Sequence, residues 1–421
     1  MTQTDKTKPS LLFSWLALGA TLAGISIIGV IEWMDLALTR GDLIGHSACS
    51  AISSFFNCYA VTSSPWSRFH GFPLALIGLW GYLVIFGLVI AAISFANTRK
   101  TFLKTALLLA FVFILADAGL LYVMLVKIQK GCPLCLATYG INAALVVFLW
   151  VAERKIVGAP ETFFKSAFHS FYGAGAASVF LWVVLTLAIL GIIAFHASVS
   201  FLTQGMPQTQ VMEMARNAKP EELMVVQIAG APTKGMSDAP VEIIEFSDFL
   251  CPACQKASRY NDIILAAHHD KVSITFKYYP WDMNCNPFIK QTTHPGACQV
   301  ARAAVCAGEQ GKFWEFHDKV FEKGPEYRPE NIRGDLAALG VQMNQAEACM
   351  EDPRSLEAVK QSVQEGVRVG VTSTPSYFVN GVNVNGLLSP FGFNNLLPGF
   401  EAVREKYLQN KNSPKKAPAG S

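Results

Sequence analysis

Five apolar stretches of this chain are each long enough to cross the roughly 30 Å hydrocarbon core of a bilayer. They cover residues 11–31, 73–96, 105–126, 134–151 and 176–195. Charged residues make up only 15% of the chain, against about a quarter in ordinary soluble proteins. The first stretch is too long for a signal peptide, and no small-residue cleavage site follows it before Glu32. The sequence therefore predicts a protein held in the lipid bilayer by five helices, the first of them retained.

Basic residues near the ends of these stretches lie mostly on one side of the predicted membrane. They are Lys6, Lys8, Arg99, Lys100, Lys104, Arg154, Lys155 and Lys165. Lys127 and Lys130 lie on the opposite side and do not reverse the bias. Because cytoplasmic loops carry an excess of lysine and arginine, we expect a cytoplasmic N-terminus. Five crossings then place the C-terminal half outside the cytoplasm. The net charge of +3 is too small to indicate nucleic acid as a partner.

The ten cysteines of the chain agree with this orientation. Four fall at the outer face or in the first outer loop, and six fall in the outer C-terminal region, so none lies in a predicted cytoplasmic loop. Stable or cycling disulfides belong in an oxidising compartment. We therefore expect a multi-pass membrane protein whose C-terminal domain lies outside the cytoplasm.

The sequence Cys251-Pro-Ala-Cys254 follows a predicted strand and opens a predicted helix. Free backbone N–H groups and the dipole at a helix N-terminus stabilise a thiolate on the first cysteine, and the spacing lets the second close a disulfide. A zinc knuckle is the alternative, but it needs a second ligand pair. Cys285 and Cys298 do not resemble one, so we predict a redox pair and no metal site.

The wider sequence around this pair, from Glu245 to Cys254 and then Thr374-Pro375 far downstream, resembles the DsbA-like branch of the thioredoxin superfamily. The resemblance covers 239–410. It implies a cis proline packed beside the CxxC, and cis peptides are almost confined to X-Pro bonds. It also implies that Glu245 moves protons for the second cysteine with Lys277 as its partner, although the two could form an ordinary salt bridge. The Pro-Ala dipeptide departs from the Pro-His of the most oxidising members, which leaves the redox potential open.

Four further cysteines of the C-terminal region are interpreted as structural. Cys285, Cys298, Cys306 and Cys349 allow three pairings. We favour Cys285–Cys298 and Cys306–Cys349. A free resolving thiol among them is the alternative.

A second CxxC, Cys132-Pro-Leu-Cys135, lies at the outer end of the fourth apolar stretch. Cys135, Tyr139 and Asn142 share one face of that predicted helix. Polar groups inside a bilayer are costly and usually have partners. This face could bind an amphipathic electron acceptor, or it could join helices by hydrogen bonds. Asp117 of the third stretch could likewise relay protons or bond to a neighbouring helix, and we favour the second reading.

The first outer loop decides between the readings of the second CxxC. It contains Cys49, Cys58 and Ser64, and with the membrane CxxC and Tyr139 these residues resemble, in order, the vitamin K epoxide reductase family. The resemblance implies a four-helix bundle around a quinone, ubiquinone or menaquinone, with Cys135 facing it and with Ser64, Tyr139 and Asn142 beside it. It also implies that Cys58 exchanges with the soluble domain and that Cys49 passes electrons on to Cys132.

The predicted fold is therefore multi-domain. An all-α transmembrane four-helix bundle covers 1–155, and a cytoplasmic loop with a fifth transmembrane helix covers 156–200. A linker covers 201–238, a soluble α/β thioredoxin-like domain covers 239–410, and a disordered tail covers 411–421.

Together with the two resemblances, these features predict an enzyme of the bacterial inner membrane, with its thioredoxin-like domain in the periplasm, that forms disulfides in reduced exported proteins. Electrons would pass from Cys251 and Cys254 through the loop pair and the membrane CxxC to the quinone pool. A reductase or isomerase using the same residues is the first alternative. An anchored chaperone with only structural cysteines is the second, and a transporter is disfavoured because no inverted repeat is visible.

Overall fold

The computed structural model describes residues 3–40, 55–69, 72–96, 98–155 and 217–412, together with 183, 186 and 189–191. The chain divides into two compact units, residues 1–206 and 207–421. Each unit is described by itself below.

The first unit is helical. Its elements are α1 (Gln3–Arg40), α2 (Cys58–Thr62), the short strands β1 (Arg68–Phe69) and β2 (Phe72–Pro73), α3 (Leu74–Ser94), α4 (Arg99–Tyr122) with a π-helical continuation (Val123–Ile128), and α5 (Pro133–Arg154). Within the described residues, four segments are long and apolar enough to cross a membrane: Leu11–Asp35, Leu74–Ser94, Arg99–Ile128 and Pro133–Arg154. The predicted fifth span lies almost wholly outside the described residues.

The four long helices form one bundle, in which α1 contacts α3 and α5, and α4 contacts the same two helices. Small residues let aromatic rings enter the helix interfaces. A Cβ atom at Gly24 would overlap the ring of Tyr82, and one at Gly81 would overlap the ring of Phe113. This packing fixes Tyr82, which is 1% exposed, against α1.

The second unit is built on a five-stranded sheet. Its strands are β3 (Thr233–Gly235), β4 (Val241–Ser247), β5 (Val272–Tyr278), β6 (Ser376–Val379) and β7 (Val382–Asn385). Its helices are α6 (Pro252–Ala267), α7 (Ala297–Glu309), α8 (Phe313–Lys323), α9 (Ile332–Ala338), α10 (Met343–Glu351), α11 (Pro353–Arg368) and α12 (Pro390–Asn412). The strand order is β3-β5-β4-β6-β7, with β4 and β5 parallel and the other pairs antiparallel.

The central strand β4 is covered on both faces, because alternate side chains of a strand point to opposite sides. Val241 and Ile243 belong to a cluster that includes Ile264 of α6. Phe246, on the other face, packs in a cluster with Val363 of α11. The strand end that leads into α6 is thereby held rigidly, and this is where the soluble CxxC lies.

Asn380 and Gly381 join β6 to β7 in a hairpin, as an Asn-Gly pair between two apolar runs predicts. Both residues have positive φ, 45° and 79°, which is the backbone that joins β6 to β7 by a two-residue turn. The next helical stretch of the chain is divided into two helices, α7 and α8. Gly311, at φ 70°, lies in the turn between them.

The predicted linker is wrong for the part that the structure describes. Leu223 and Val226 are 3% and 2% exposed, and β3 pairs antiparallel with β5. Residues 217–238 therefore belong to the soluble domain, whose edge strand was too short to be seen in the sequence. Residues 201–216 lie outside the described residues. Helix α12 extends to Asn412, so the predicted tail begins later than residue 411, and 413–421 are not described.

Candidate functional site

The soluble CxxC lies at the junction of β4 and α6. Cys251 is the N-cap residue of α6 and Pro252 occupies its first turn, a position where the missing N–H of proline costs nothing. Cys251 is 8% exposed and Cys254 is fully buried. Both are free thiols, so one sulfur is accessible for attack and the other is held beneath it.

The two thiols differ in acidity. A hydrogen bond with the Cys254 thiol, assisted by backbone N–H groups at the helix start and by Thr374, lowers the pKa of Cys251 to about 6. Burial, followed by the interaction with Cys251, raises the pKa of Cys254 well above its usual value. Cys251 is therefore the thiolate near neutral pH, and Cys254 keeps its proton.

The loop that contains Thr374 and Pro375 lies beside Cys251. The Thr374-Pro375 peptide is cis. The Thr374 carbonyl oxygen accepts a hydrogen bond from the Cys251 thiol at 3.6 Å. The Thr374 hydroxyl accepts one from Nε1 of Trp281 at 3.1 Å. Thr374 thus contacts the reactive sulfur, and the cis bond to Pro375 follows it directly.

Glu245 is buried in β4 behind the CxxC. It is 2% exposed, and burial raises the pKa of its carboxyl to about 7. The side-chain amide of Asn261 donates to its Oε2 at 2.5 Å, and the Tyr377 hydroxyl lies 3.3 Å from Oδ1 of Asn261. A carboxyl with this pKa can accept or release a proton near neutral pH.

The predicted pairing of Glu245 with Lys277 is wrong. Glu245 is opposite Phe276 in the sheet, and Lys277 is opposite Phe246, so the two side chains leave opposite faces. The Lys277 ammonium donates to the Gln227 carbonyl at 2.9 Å instead.

The cation on the face of Glu245 is Lys234 of β3. Lys234 pairs with Ile274 in the sheet, and Ile274 pairs with Ile243. Ile243 lies two residues before Glu245, so Lys234 and Glu245 are on the same face of the sheet. Its ammonium forms an ion pair with Asp262 at 2.7 Å and lies 4.5 Å from the centre of the Trp314 ring. Its charge lowers the pKa of Glu245 against the larger effect of burial.

The remaining cysteines of this unit form two disulfides, Cys285–Cys298 and Cys306–Cys349. This is the pairing that the sequence favoured. In the described part of the chain, no group of three or more His, Cys, Asp or Glu side chains is placed to hold a metal ion.

In the helical unit, the membrane CxxC begins α5 in the same way. Cys132 is the N-cap residue, and its sulfur accepts a hydrogen bond from the Cys135 backbone N–H at 3.2 Å. Cys132 is fully buried and Cys135 is partly exposed, and both are free thiols. The Cys132 N–H donates to the sulfur of Met124 at 3.3 Å.

A cavity of about 300 Å³ opens beside this pair. Its wall includes all four residues that the sequence assigned to acceptor binding: Ser64, Cys135, Tyr139 and Asn142. Most of its other wall residues are apolar, among them Ile28, Val112 and Phe113. The cavity is thus an apolar space with a few polar groups, as is usual for sites that bind small organic molecules.

A hydrogen-bonded chain crosses the bundle at the cavity wall. The Tyr82 hydroxyl donates to Oδ1 of Asn142, and Nδ2 of Asn142 donates to Oδ2 of Asp117 at 2.8 Å. Asp117 is therefore bonded to a neighbouring helix, as we favoured. The polar face of α5 both joins helices and lines the cavity, so the two readings of that face are not exclusive.

Three polar residues at or next to the cavity were not expected from the sequence: Glu32, Asp35 and Arg68. Glu32 and Asp35 both line the cavity, and Asp35 pairs with Arg68 at 2.7 Å. Glu32 is 7% exposed, and its Oε1 has no hydrogen-bond partner among the described residues. Two acids three residues apart at the end of an apolar span were the available signal.

The first outer loop is tied to the turn before Cys132. Phe56 and Gly131 form a parallel β-bridge, with Asn57 N–H donating to the Gly131 carbonyl at 3.0 Å. Cys58 follows Asn57 directly, is 1% exposed and is disulfide-bonded. The bridge thus brings the start of α2, with Cys58, alongside the chain that leads into Cys132. Cys49 lies outside the described residues.

Comparison with known proteins finds a match to a family model in each unit. Residues 15–150 match the vitamin K epoxide reductase family, and residues 229–398 match a thioredoxin family. A thioredoxin-like oxidoreductase from Silicibacter pomeroyi is 23% identical and covers 42% of this chain and 93% of its own, with a TM-score of 0.36. BdbD from Bacillus subtilis is 20% identical and covers 44% of this chain and 97% of its own, also with a TM-score of 0.36.

Among curated proteins, the Na(+)/H(+) antiporter NhaA 3 of Salinispora tropica is 31% identical over 153 residues, which is 36% of this chain. The match spans only 22% of the antiporter's length. The chain thus joins a vitamin K epoxide reductase family domain to a thioredoxin-like domain, and the predicted fold class of a helical membrane bundle followed by a thioredoxin-like domain is confirmed.

Proposed function

We propose that this protein is a membrane thiol–disulfide oxidoreductase that forms disulfides in exported proteins and passes the electrons to a quinone. The observation that carries the proposal is the cavity of about 300 Å³ whose wall contains Cys135 of the membrane CxxC. A thiol pair at the edge of an apolar cavity inside a membrane bundle is suited to a lipid-soluble electron acceptor.

The first step takes place at the soluble CxxC. A substrate thiolate attacks Cys251 of the Cys251–Cys254 disulfide. The bond between the two cysteines breaks, Cys254 leaves as a thiolate, and a mixed disulfide joins the substrate to Cys251. The second substrate thiolate then attacks its partner sulfur, which releases the substrate disulfide and the Cys251 thiolate. Two electrons have moved from the substrate to the CxxC, and Cys254 ends with a proton. Glu245 supplies or stores that proton, because its carboxyl titrates near pH 7.

The low pKa of Cys251 favours this direction. A thiolate with a pKa of about 6 is a good leaving group, and its stability favours the reduced form of the domain. A domain whose reduced form is stabilised is an oxidant of other dithiols. This supports oxidation over the alternative of a reductase or isomerase.

The next two steps are disulfide exchanges within the chain. The reduced CxxC reduces the loop disulfide of Cys49 and Cys58, and this pair then reduces the Cys132–Cys135 disulfide. Each exchange conserves two electrons and two protons. The β-bridge between Phe56 and Gly131 supports the second exchange, because it holds the loop against the residue before Cys132.

The cavity residues fit a quinone. A quinone has an apolar ring and two carbonyl oxygens, and the wall offers hydroxyl, amide and carboxyl groups within an apolar surface. The buried Oε1 of Glu32, which has no described partner, is a group that a ligand would satisfy. Tyr139, Asn142 and Ser64 would hold the acceptor and Cys135 would face it. A bound ubiquinone or menaquinone would supply the two-electron acceptor that reoxidises the membrane CxxC.

The apolar spans and the basic residues at their ends support a proposed membrane placement. We propose a cytoplasmic N-terminus and a periplasmic thioredoxin-like domain in the bacterial inner membrane, in contact with lipid, the quinone pool and reduced exported proteins. Ion transport is not proposed, since the antiporter relatives share only 22% to 26% of their length with this chain.

The test uses the purified full chain in detergent, a water-soluble quinone and a reduced, unfolded disulfide protein. We expect loss of quinone absorbance in step with disulfide gain in the substrate. Cys251→Ala, Cys58→Ala and Cys135→Ala should each abolish both signals, and the lipid-facing control Leu115→Ala should keep them. Quinone reduction that persists in Cys251→Ala would contradict the relay. A responsive Cys251 without quinone reduction in the wild type would favour the reductase or isomerase.

A further inference from the structure

A loop closed by a disulfide lies beside the soluble CxxC. Cys285 and Cys298 close it, and it is anchored on Trp281, whose carbonyl accepts the N–H groups of Thr293 and His294 at 3.0 and 3.1 Å. The Trp281 indole in turn donates to Thr374, the residue that contacts the Cys251 sulfur. The loop is thus fixed to the same residues that surround the reactive thiol.

His294 of this loop contacts Asp248. Nδ1 of His294 lies 2.7 Å from Oδ2 of Asp248, whose side chain is completely buried. The same carboxylate also accepts the N–H of Trp281 at 2.7 Å and the N–H of Leu250 at 2.8 Å. Buried carboxylates are usually paired with a positive charge, and His294, in its protonated form, is placed to supply that charge to Asp248.

Asp248 is bonded through its backbone to both active cysteines. Its N–H donates to the Cys254 sulfur at 3.4 Å, and its carbonyl accepts the Cys251 N–H at 3.1 Å. A buried negative charge on a residue that is hydrogen-bonded to both cysteines opposes formation of a second negative charge on Cys251. The protonation state of His294 decides whether the Asp248–His294 pair carries a net charge of zero or of minus one.

We propose that His294 is a positioning residue that stabilises the Cys251 thiolate by neutralising Asp248, and that the Cys285–Cys298 disulfide holds it there. The proposal rests on the redox activity of the CxxC in the proposed function. Pro252 and Ala253, the residues between the two cysteines, carry no positive charge. His294 supplies one from a separate loop.

The sign of the effect follows from the neighbouring charges. The hydrogen bond with Asp248 raises the pKa of His294 above its usual value. The titratable groups that face it are Asp248 and Cys251, and Asp282 and Lys290 lie in or beside its own loop. Below its pKa, His294 is positive and the thiolate is favoured. As the pH rises through that pKa, the pair becomes negative and the oxidising power of the domain falls.

The experiment measures Cys251 alkylation in the fully reduced full chain between pH 4 and pH 9 (roughly the range in which histidine and perturbed thiols titrate). Mass spectrometry identifies the Cys251 adduct, and neither quinone nor substrate is present. Failure of the relay in the proposed function therefore leaves this readout intact. The variants are His294→Gln, His294→Lys and the control Lys290→Gln, which removes an exposed cation of the same loop.

We expect His294→Gln to lower the thiolate fraction of Cys251 at pH 6 by roughly threefold to tenfold, because one nearby charge is lost. His294→Lys should restore that fraction and remove the histidine titration from the pH profile, and Lys290→Gln should match the wild type. Replacement of Cys285 and Cys298 together by alanine should shift the profile in the direction of His294→Gln. An unchanged pH profile in His294→Gln would overturn the proposal. Equal losses in His294→Gln and His294→Lys would do the same, because they would assign His294 a purely structural role.

Discussion

The Asn142 amide donates to the Asp117 carboxylate at 2.8 Å and so joins α5 to α4 inside the membrane unit. Asn142 also accepts the Tyr82 hydroxyl of α3, which makes it the centre of a contact among three helices. Removing it leaves two polar groups without their described partner in an apolar setting. That situation costs about 1–3 kcal/mol in proteins generally.

We therefore expect Asn142→Leu to lower the stability of the membrane unit by about 1–3 kcal/mol, seen as a lower Tm in detergent. Asp117→Asn should stay close to the wild type, because its side-chain oxygen still accepts the hydrogen bond. Leu115→Ala, on the exposed face of α4, is the control. A Tm for Asn142→Leu equal to that of the control would show that the contact does not stabilise the bundle.

The acidity of Cys251 predicts a pH dependence. Its pKa of about 6 lies below the usual thiol value of 9.0, so the ionised thiol stabilises the reduced domain fully above pH 9. That stabilisation is lost as the pH falls through about 6. Iodoacetamide labelling of the reduced chain should show half-maximal reactivity of Cys251 near pH 6, with Cys254 unlabelled. A midpoint near pH 9 would contradict the lowered pKa.

Glu245 predicts the opposite pH dependence. Burial raises the pKa of its carboxyl from 4.5 to about 7, so its effect is most favourable below pH 4.5 and is lost as the pH rises through about 7. Glutamine does not ionise, so Glu245→Gln removes this loss of stability at high pH. We expect the substitution to raise the stability of the soluble domain at pH 8 by on the order of 1–3 kcal/mol, with little change at pH 4. The Tm of the soluble domain measured at both pH values tests this. An equal change at both would show that Glu245 does not titrate in this range.

Substitution of each lysine in turn shows whether Lys234 or Lys277 interacts with Glu245. Lys234→Gln removes a cation on the face of Glu245 and should raise the pKa of Glu245 further. The pH at which the Tm begins to fall should therefore move to a higher value. Lys277→Gln, on the opposite face of the sheet, should leave that dependence unchanged. A shift caused only by Lys277→Gln would restore the pairing expected from the sequence.

These two lysines show where the sequence was sufficient and where it was not. The CxxC motifs and the Asn380-Gly381 turn are local, and their spacing alone predicted helix starts and a hairpin. Lys277 was assigned to Glu245 because it lies on the neighbouring strand, but the register places Phe276 opposite Glu245. Lys234 lies on a three-residue edge strand that has no sequence signal. Tyr82 lines the cavity, and Arg68 pairs with Asp35 in the cavity wall. Both contacts depend on tertiary packing, which no local sequence pattern encodes.

Glu32 predicts a measurable contribution to ligand binding in the cavity. Its buried Oε1 has no partner among the described residues, so the Glu32 carboxyl in its protonated form can donate a hydrogen bond to a quinone carbonyl oxygen there. We expect a water-soluble quinone to raise the Tm of the wild type, and Glu32→Leu to weaken its binding about tenfold, as loss of one such hydrogen bond implies. Val112→Ala, at an apolar part of the wall, should have a smaller effect. Equal quinone affinity in wild type and Glu32→Leu would place the ligand elsewhere.

The central claim is that electrons leave the soluble CxxC only through the membrane CxxC. The most direct measurement is a single turnover without oxygen. All three redox pairs are reduced, a water-soluble quinone is added, and mass spectrometry then follows the thiols of Cys251 and Cys254. The account predicts that these two thiols become a disulfide in the wild type and stay reduced in Cys135→Ala. Oxidation of Cys251 and Cys254 at the wild-type rate in Cys135→Ala would contradict it.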